Sequence, residues 1–314
     1  MFLESYIIRK EYIHSDIAAL QLIAWLVVMS SDAAPEPQED AYNLDNSIPS
    51  TDSQISHAQQ ISYWDAQTAD VDGMLGGYPQ VSRIDLQGSK NFIAKVKRLD
   101  RGSLPAESAP KSSPSSGKAA ADGTTKKTTP KVARAVEGGA GIGRITTSLL
   151  LNIADTVDIV EPIKKFTDVL RQYQPSVNQG LIGEIHNTGL ETWQPDSDRK
   201  YDIVWNQWCL NHLTDQQVID YLGRTAKCLA GYDERGQEEP NHSGVPGWIM
   251  VKENLSTDVY GEDIFDDADS SVTRSDKKWK ALFEKAGLKI VKMEVQTGFP
   301  KSLFPVKMYA LRPK

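Results

Sequence analysis

The chain has 314 residues, a formal net charge of −7 and 39% hydrophobic residues, with seven Trp. That length and apolar content support one large domain or two small ones with a real core. The acidic balance excludes nucleic acid as the default partner, because phosphate binding needs a basic face; it suits a basic partner instead.

Ile17 to Met29 (IAALQLIAWLVVM) form a run of 13 mostly apolar residues, too short to span a bilayer. The residues before it include Glu4, Glu11 and Asp16 beside Arg9 and Lys10, a poor positive flank for a secretory signal. The run leaves three readings: a surface or docking helix, a signal core, or a segment ahead of a natural start at Met29. Residues 30–55 are polar, Pro-containing and aperiodic, and read as a disordered linker. Residues 101–131 are dominated by Ser, Pro, Ala, Lys and Thr and read as a flexible insertion; residues 232–247 read as a loop insertion. The domain proper then runs over 56–314, with helices over about 56–99 at its front.

Between the insertions short apolar runs alternate with helical patterns. KVARAVEGG reads as a strand, RITTSLLLNIA as a helix and TVDIVEP as a second buried strand. IKKFTDVLRQY is a helix with Ile163, Phe166, Val169 and Leu170 on one face. YDIVWNQW is a strand, and TDQQVIDYLGRTAKCLA a helix opened by a Thr214–Gln217 capping box. GWIMVKEN is a strand, SDKKWKALFEKAG a helix capped by Ser275, and LKIVKMEVQ with FPVKMYALRP a closing strand pair. The alternation predicts a doubly wound α/β fold, a mostly parallel sheet with helices on both faces. Ligands bind such sheets at the carboxyl ends of the strands. Cys209 and Cys228 have neither metal-ligand nor disulfide-framework spacing, which predicts reduced thiols in an intracellular protein and no metal.

EGGAGIGRI, Glu137 to Ile145, stands where the first strand meets the first helix. Gly139, Gly141 and Gly143 let backbone approach a ligand and turn tightly. A dinucleotide fingerprint needs Gly at the sixth position counted from Gly139, where Arg144 stands, and no GK[ST] follows. Glu161 ends the second strand 18 residues beyond Gly143, where a carboxylate can accept both ribose hydroxyls of an adenosine. A solvated strand-end acid is the plainer reading of Glu161 alone. Together the acidic Gly-rich turn and Glu161 favour S-adenosylmethionine, a cationic cofactor without phosphate, with Glu137 near its methionine part.

Asp258 to Asp269 (DVYGEDIFDDAD) hold six carboxylates and no Lys or Arg. Such like charge is costly unless a cation belongs there or the loop is a solvated face. An EF-hand is excluded: counted from Asp267, the sixth position is Val272 and the twelfth Lys278. His212, just before a helix cap, reads as a structural histidine as readily as a functional one, and Trp205 reads as core.

Four stretches together are specific: YWDAQTADVDGMLGGYPQVSRID (Tyr63–Asp85), GAGIGRIT, WNQWCLNHLTD (Trp205–Asp215) and DDADSSVTR (Asp266–Arg274). With them the chain resembles the protein N-terminal (alpha-N) methyltransferase family over about residues 60–314, the insertions excepted. That family methylates the α-amino group of proteins beginning Xaa-Pro-Lys or Xaa-Pro-Arg after initiator Met removal. The resemblance implies a seven-stranded, Rossmann-like class I S-adenosylmethionine methyltransferase with the N-terminal helices as substrate lid. It implies that Gly139, Gly141 and Arg144 hold the cofactor's methionine end together with Gln207. It puts Glu161, in place of the family's usual Asp, on the ribose, and Pro162, Leu190 and Glu191 against the adenine, Glu191 standing where Gln is frequent. Trp64, Leu75, Gly76 and Trp208 would wall the peptide channel. Asn254, Asp266, Asp269, Ser271 and His212 would grip the N-terminus, and Phe304 stands where a Tyr is expected.

Methyl transfer to an amine requires the ammonium to be bound, deprotonated and aimed. A free α-amino group has a pKa of about 7.7–8.0, so a carboxylate and a base are needed, and His is the default base. On this reading Asp269 takes the α-ammonium with His212 alongside, either being the base, and Asp266 takes the third-residue cation. The expected enzyme is a monomer of the cytoplasm, the nucleus included. It acts on basic Xaa-Pro-Lys/Arg N-termini and has no nucleic-acid partner and no stable membrane span. The rivals are a small-molecule amine methyltransferase and a catalytically dead module that binds N-termini.

Overall fold

The computed structural model describes residues 50–103, 131–172, 180–233, 235–239 and 245–314. The apolar run 17–29, most of the linker, and residues 104–130 of the insertion lie outside them. Seven strands form one sheet: β1 (Val132–Gly138), β2 (Ala154–Val160), β3 (Ile182–His186), β4 (Ile203–Gln207), β5 (Trp248–Asn254), β8 (Leu288–Val295) and β9 (Val306–Pro313). Their order is β3-β2-β1-β4-β5-β9-β8. All pairs up to β5 are parallel, and β9 runs antiparallel to both its neighbours. The order reverses between β1 and β4, so the crevice beyond the carboxyl ends of these two strands is the expected ligand position.

The strands are apolar on both faces because helices cover both. Val136, Val204, Ile249, Val251, Tyr309 and Leu311 point into one core. Their chain neighbours Ala135, Ile203, Trp205, Met250, Met308 and Ala310 point into the other, as the two-residue period of a strand requires. The first core is closed by α6 (Asp215–Lys227) through Val218, Tyr221 and Leu222, and by α7 (Asp276–Lys285) through Trp279, Leu282 and Phe283. The second is closed by α3 (Ser82–Ser103), whose Ser89, Phe92, Ile93, Val96 and Asp100 are all buried at helical spacing. The Thr214–Gln217 capping box and the Ser275 cap both form. Trp205 is core, 1% exposed.

Several elements depart from the sequence expectation. The helix read into RITTSLLLNIA is only α4 (Arg144–Ser148), followed by a 3-10 turn. The short strand β3, with Gly183 inside it, has no counterpart among the expected strands. The acidic stretch ends in a hairpin, β6 (Ile264–Asp266) against β7 (Ser271–Thr273), with Asp266 opposite Ser271. Residues 50–55, read as linker, are placed: Thr51–Gln54 make a 3-10 turn whose Asp52 Oδ2 accepts from the Asp215 amide at 2.8 Å. Part of 232–247 is ordered as well, through a bridge between Tyr232 and Glu238.

Candidate active site

One cleft opens beyond the carboxyl ends of four parallel strands. Its walls are Glu137–Ile145 after β1, Glu161–Phe166 at the end of β2 and into α5 (Lys164–Arg171), Gly189–Glu191 after β3, and Gln207–Leu213 after β4. Its roof is α1 (His57–Ala66), through His57, Gln60, Ile61 and Trp64, together with Met74 of the single turn α2 (Val71–Met74). Of the expected residues it therefore brings together Gly139, Gly141, Arg144, Glu161, Pro162, Leu190, Glu191, Gln207, Trp64, Trp208 and His212. Asp269, Asp266, Ser271, Asn254, Leu75 and Gly76 do not line it.

The Gly-rich turn is held from below. Glu161 accepts from the Gly141 amide and the Ile163 amide, both at 2.8 Å. Burial pushes its carboxyl up to about 7, against these two bonds. Each carboxylate oxygen still has a lone pair to offer. Gly139 sits at φ +62, and a Cβ there would meet Cys209 Cβ at 2.3 Å, so the backbone passes where no side chain fits. Glu137 accepts from Thr146 Oγ1, and burial raises it to about 8. Three carboxyl side chains, Glu137, Glu161 and Glu191, and one guanidinium, Arg144, line the cleft among the described residues. That donor set has no phosphate cradle; it fits a cationic adenosine cofactor.

Arg144, expected at the cofactor's carboxylate, already carries one ion pair within the chain. Its Nη1 lies 2.6 Å from Asp85 Oδ2 and its guanidinium over the Trp208 ring. Asp85, fully buried on α3, also accepts from Gln207 Nε2 at 2.9 and 3.0 Å and pairs with Lys252 Nζ at 2.5 Å. Burial opposes its charge, but the Lys252 ammonium and the Arg144 guanidinium hold its carboxyl below the usual range. It closes the YW…RID motif, yet nothing in the local pattern marks it.

On the peptide side, Leu75 packs with Trp208, Val81, Leu303 and Val306, and Trp64 packs against this group. Gly76 turns the chain at φ 55. Trp64 Nε1 lies 3.3 Å from His212 Nε2. Burial, with the charge of His57 added, pushes His212 down to about 3. Asp269 is fully buried; its Oδ1 accepts from the Ser271 amide at 3.1 Å and its Oδ2 has no partner. Burial raises it to about 7, Ser271 lowering and Asp266 raising it. Gln60 ties this turn to the cleft, since its Nε2 donates to Ser270 O at 2.8 Å and His212 O at 2.9 Å. Asn254 ends β5, buried, and Phe304 is half-buried. Ser270 (φ 56) and Trp208 (φ 54) are the two positive-φ non-glycine residues among those described, and such strain clusters at functional sites.

The acidic stretch is less open to outside cations than its composition suggests. Asp258 Oδ1 accepts from Tyr260 and Glu262 amides, Asp266 from Ala268, and Asp263 lies 3.7 Å from Lys278. Among the described residues no helix is long and apolar enough to cross a membrane, and no group of His, Cys, Asp and Glu is arranged to hold a metal ion.

Comparison with known proteins agrees with this geometry. The profile of a family described as AdoMet-dependent proline di-methyltransferase matches residues 52–112 and 119–312. The chain is 37% identical to alpha N-terminal protein methyltransferase 1 of Schizosaccharomyces pombe, over 82% of this chain and 96% of that one. It is 34% identical to N-terminal Xaa-Pro-Lys N-methyltransferase 1 of Xenopus tropicalis, over 80% and 92%. A solved S-adenosylmethionine-dependent methyltransferase of Leishmania major superposes with a TM-score of 0.60 at 31% identity, covering 81% of this chain and 82% of that one. With its seven-stranded sheet and its cofactor cleft at the strand ends, this chain belongs to the AdoMet-dependent proline di-methyltransferase family.

Proposed function

We propose that the chain methylates the α-amino group of proteins that begin Xaa-Pro-Lys or Xaa-Pro-Arg once the initiator Met is gone, with S-adenosylmethionine as donor. The observation that carries this is the junction made by Gln60, whose bond to Ser270 O ties the turn holding the buried, unpartnered Asp269 Oδ2 to a cleft already suited to an adenosine cofactor. When bound, the cofactor supplies an electrophilic methyl on a sulfonium. Gly139, Gly141, Arg144 and Gln207 would hold its amino-acid end, Glu161 its ribose, and Pro162, Leu190 and Glu191 its adenine.

The chain's own work is on the amine. Asp269 binds the α-ammonium and is the better candidate to take its proton. A carboxyl near 7 stands within about one unit of a free α-amine, whereas His212 near 3 is a weak acceptor. Neutral His212, with Trp64 against it, then helps aim the lone pair. Trp64, Trp208, Leu75 and Gly76 form an apolar slot for Pro at the second position. Half-buried Asp266, with Asn254 and Ser271, receives the third residue and the peptide backbone. The buried, unpaired thiols Cys209 and Cys228 suit the cytoplasm or nucleus, and a monomer is the proposed state.

Steady-state kinetics on Ser-Pro-Lys-Arg and Ser-Pro-Glu-Arg peptides test the substrate class. A large preference for the Lys peptide is expected. Equal rates, or turnover of small amines instead, would overturn it.

A further inference from the structure

The buried cluster around Asp85 holds two cations, Arg144 and Lys252, against one carboxylate. The side chains of Arg144, Lys252 and Asp85 are 9%, 1% and 0% exposed respectively; burial works against the Lys252 charge and Asp85 sustains it. Lys252 faces away from the cleft: its Nζ also donates to Asp85 O, Ser89 Oγ and Gln296 Oε1 at 3.1, 3.0 and 2.8 Å. Arg144 and Gln207 face into it. An ionised carboxylate accepts and never donates, so Asp85 fixes which end of the Gln207 amide it meets. Nε2 turns to Asp85, and Oε1 is left buried without a partner. A buried acceptor without a donor costs free energy, and an ammonium would satisfy it. Arg144 spends its Nη1 on Asp85 and Ser82 and keeps further N–H donors for an anion in the cleft.

We propose that Asp85 is a positioning residue for the zwitterionic amino-acid end of the cofactor, aiming Gln207 Oε1 at the ammonium and holding Arg144 at the carboxylate. Because Asp85 lies on α3, it also ties the segment that carries the roof to the cofactor cleft. The inference rests on the cofactor reading above.

Two ligands separate the amino-acid end from the rest: S-adenosylhomocysteine carries it, and 5′-methylthioadenosine lacks it. Calorimetric binding of both to the wild-type protein comes first; binding of neither would remove the cofactor reading itself, not merely this inference. With wild type binding both, Asp85→Asn is expected to weaken S-adenosylhomocysteine by about tenfold or more while leaving 5′-methylthioadenosine within about twofold, the loss expected for a hydrogen bond to a charged group. Asp85→Asn leaves two buried cations without an anion and endangers folding, so the charge-balanced Asp85→Asn/Lys252→Met double variant is measured beside it, with the same expectation. Equal loss of both ligands, unchanged affinity for both, or failure of the double variant to fold would overturn the proposal and assign Asp85 to the scaffold.

Discussion

Replacing Asp269 by Asn removes a carboxyl that the fold buries completely. Its pKa moves from 3.8 to about 7 on folding, chiefly because burial penalises the charged form. A carboxyl that holds its proton more tightly folded than unfolded favours the fold below 3.8, and that contribution is lost as pH rises to about 7. Between pH 5 and pH 8 the unfolded carboxyl stays ionised while the folded one gives up its proton. At about 1.36 kcal/mol per pKa unit, wild type should lose about 2–3 kcal/mol relative to Asp269→Asn across that window. Urea unfolding of both proteins at pH 5 and pH 8 measures the difference, and all other titrating groups cancel in it. The same variant should lose methyl transfer by about a hundredfold or more, as removal of a general base does, with S-adenosylhomocysteine affinity retained. Parallel stability–pH curves would refute the buried-carboxyl argument. Equal loss of activity and cofactor affinity would refute the assigned role.

Glu161→Gln should weaken S-adenosylhomocysteine by about 10- to 100-fold, since hydrogen bonds to a charged acceptor are worth about 1.5–3 kcal/mol; calorimetry checks this, and peptide KM should move far less. Gln60→Leu should leave the Ser270 and His212 carbonyls without their shared donor and lower kcat more than tenfold with cofactor affinity kept, read by steady-state kinetics beside a cofactor titration. Gly139→Ala should cost at least about 1–2 kcal/mol for the left-handed backbone alone, plus the clash with Cys209, and should lower both the melting temperature and cofactor affinity.

The sheet was legible because its strands are buried on both faces and its helices carry their caps in the local sequence, as at Thr214 and Ser275. The cofactor end of the site was legible for a similar reason: Gly139 to Arg144 and Glu161 are fixed by a strand–turn–helix unit whose geometry is local. What escaped was long-range. Asp85 meets Arg144, Gln207 and Lys252 across 59, 122 and 167 residues of sequence, and alone it reads as a polar position on a helix. Lys252 reads as one more alternation in IMVKEN, though it is 1% exposed. The acidic stretch misled by composition: turn amides and Lys278 already engage several of its carboxylates, which only the folded hairpin reveals. Asp269 differs from them in being fully buried, with its Oδ2 left without a partner.

The chemistry that defines this protein is transfer of methyl to a free protein α-amine. Mass spectrometry of a Ser-Pro-Lys-Arg peptide incubated with the protein and S-adenosylmethionine, beside the same peptide N-acetylated, tests it most directly. Steps of about 14 Da are expected on the free peptide alone, each a methyl replacing a proton on an amine that the acetyl group blocks. No gain on the free peptide while S-adenosylhomocysteine still binds, or equal gain on both peptides, would contradict it.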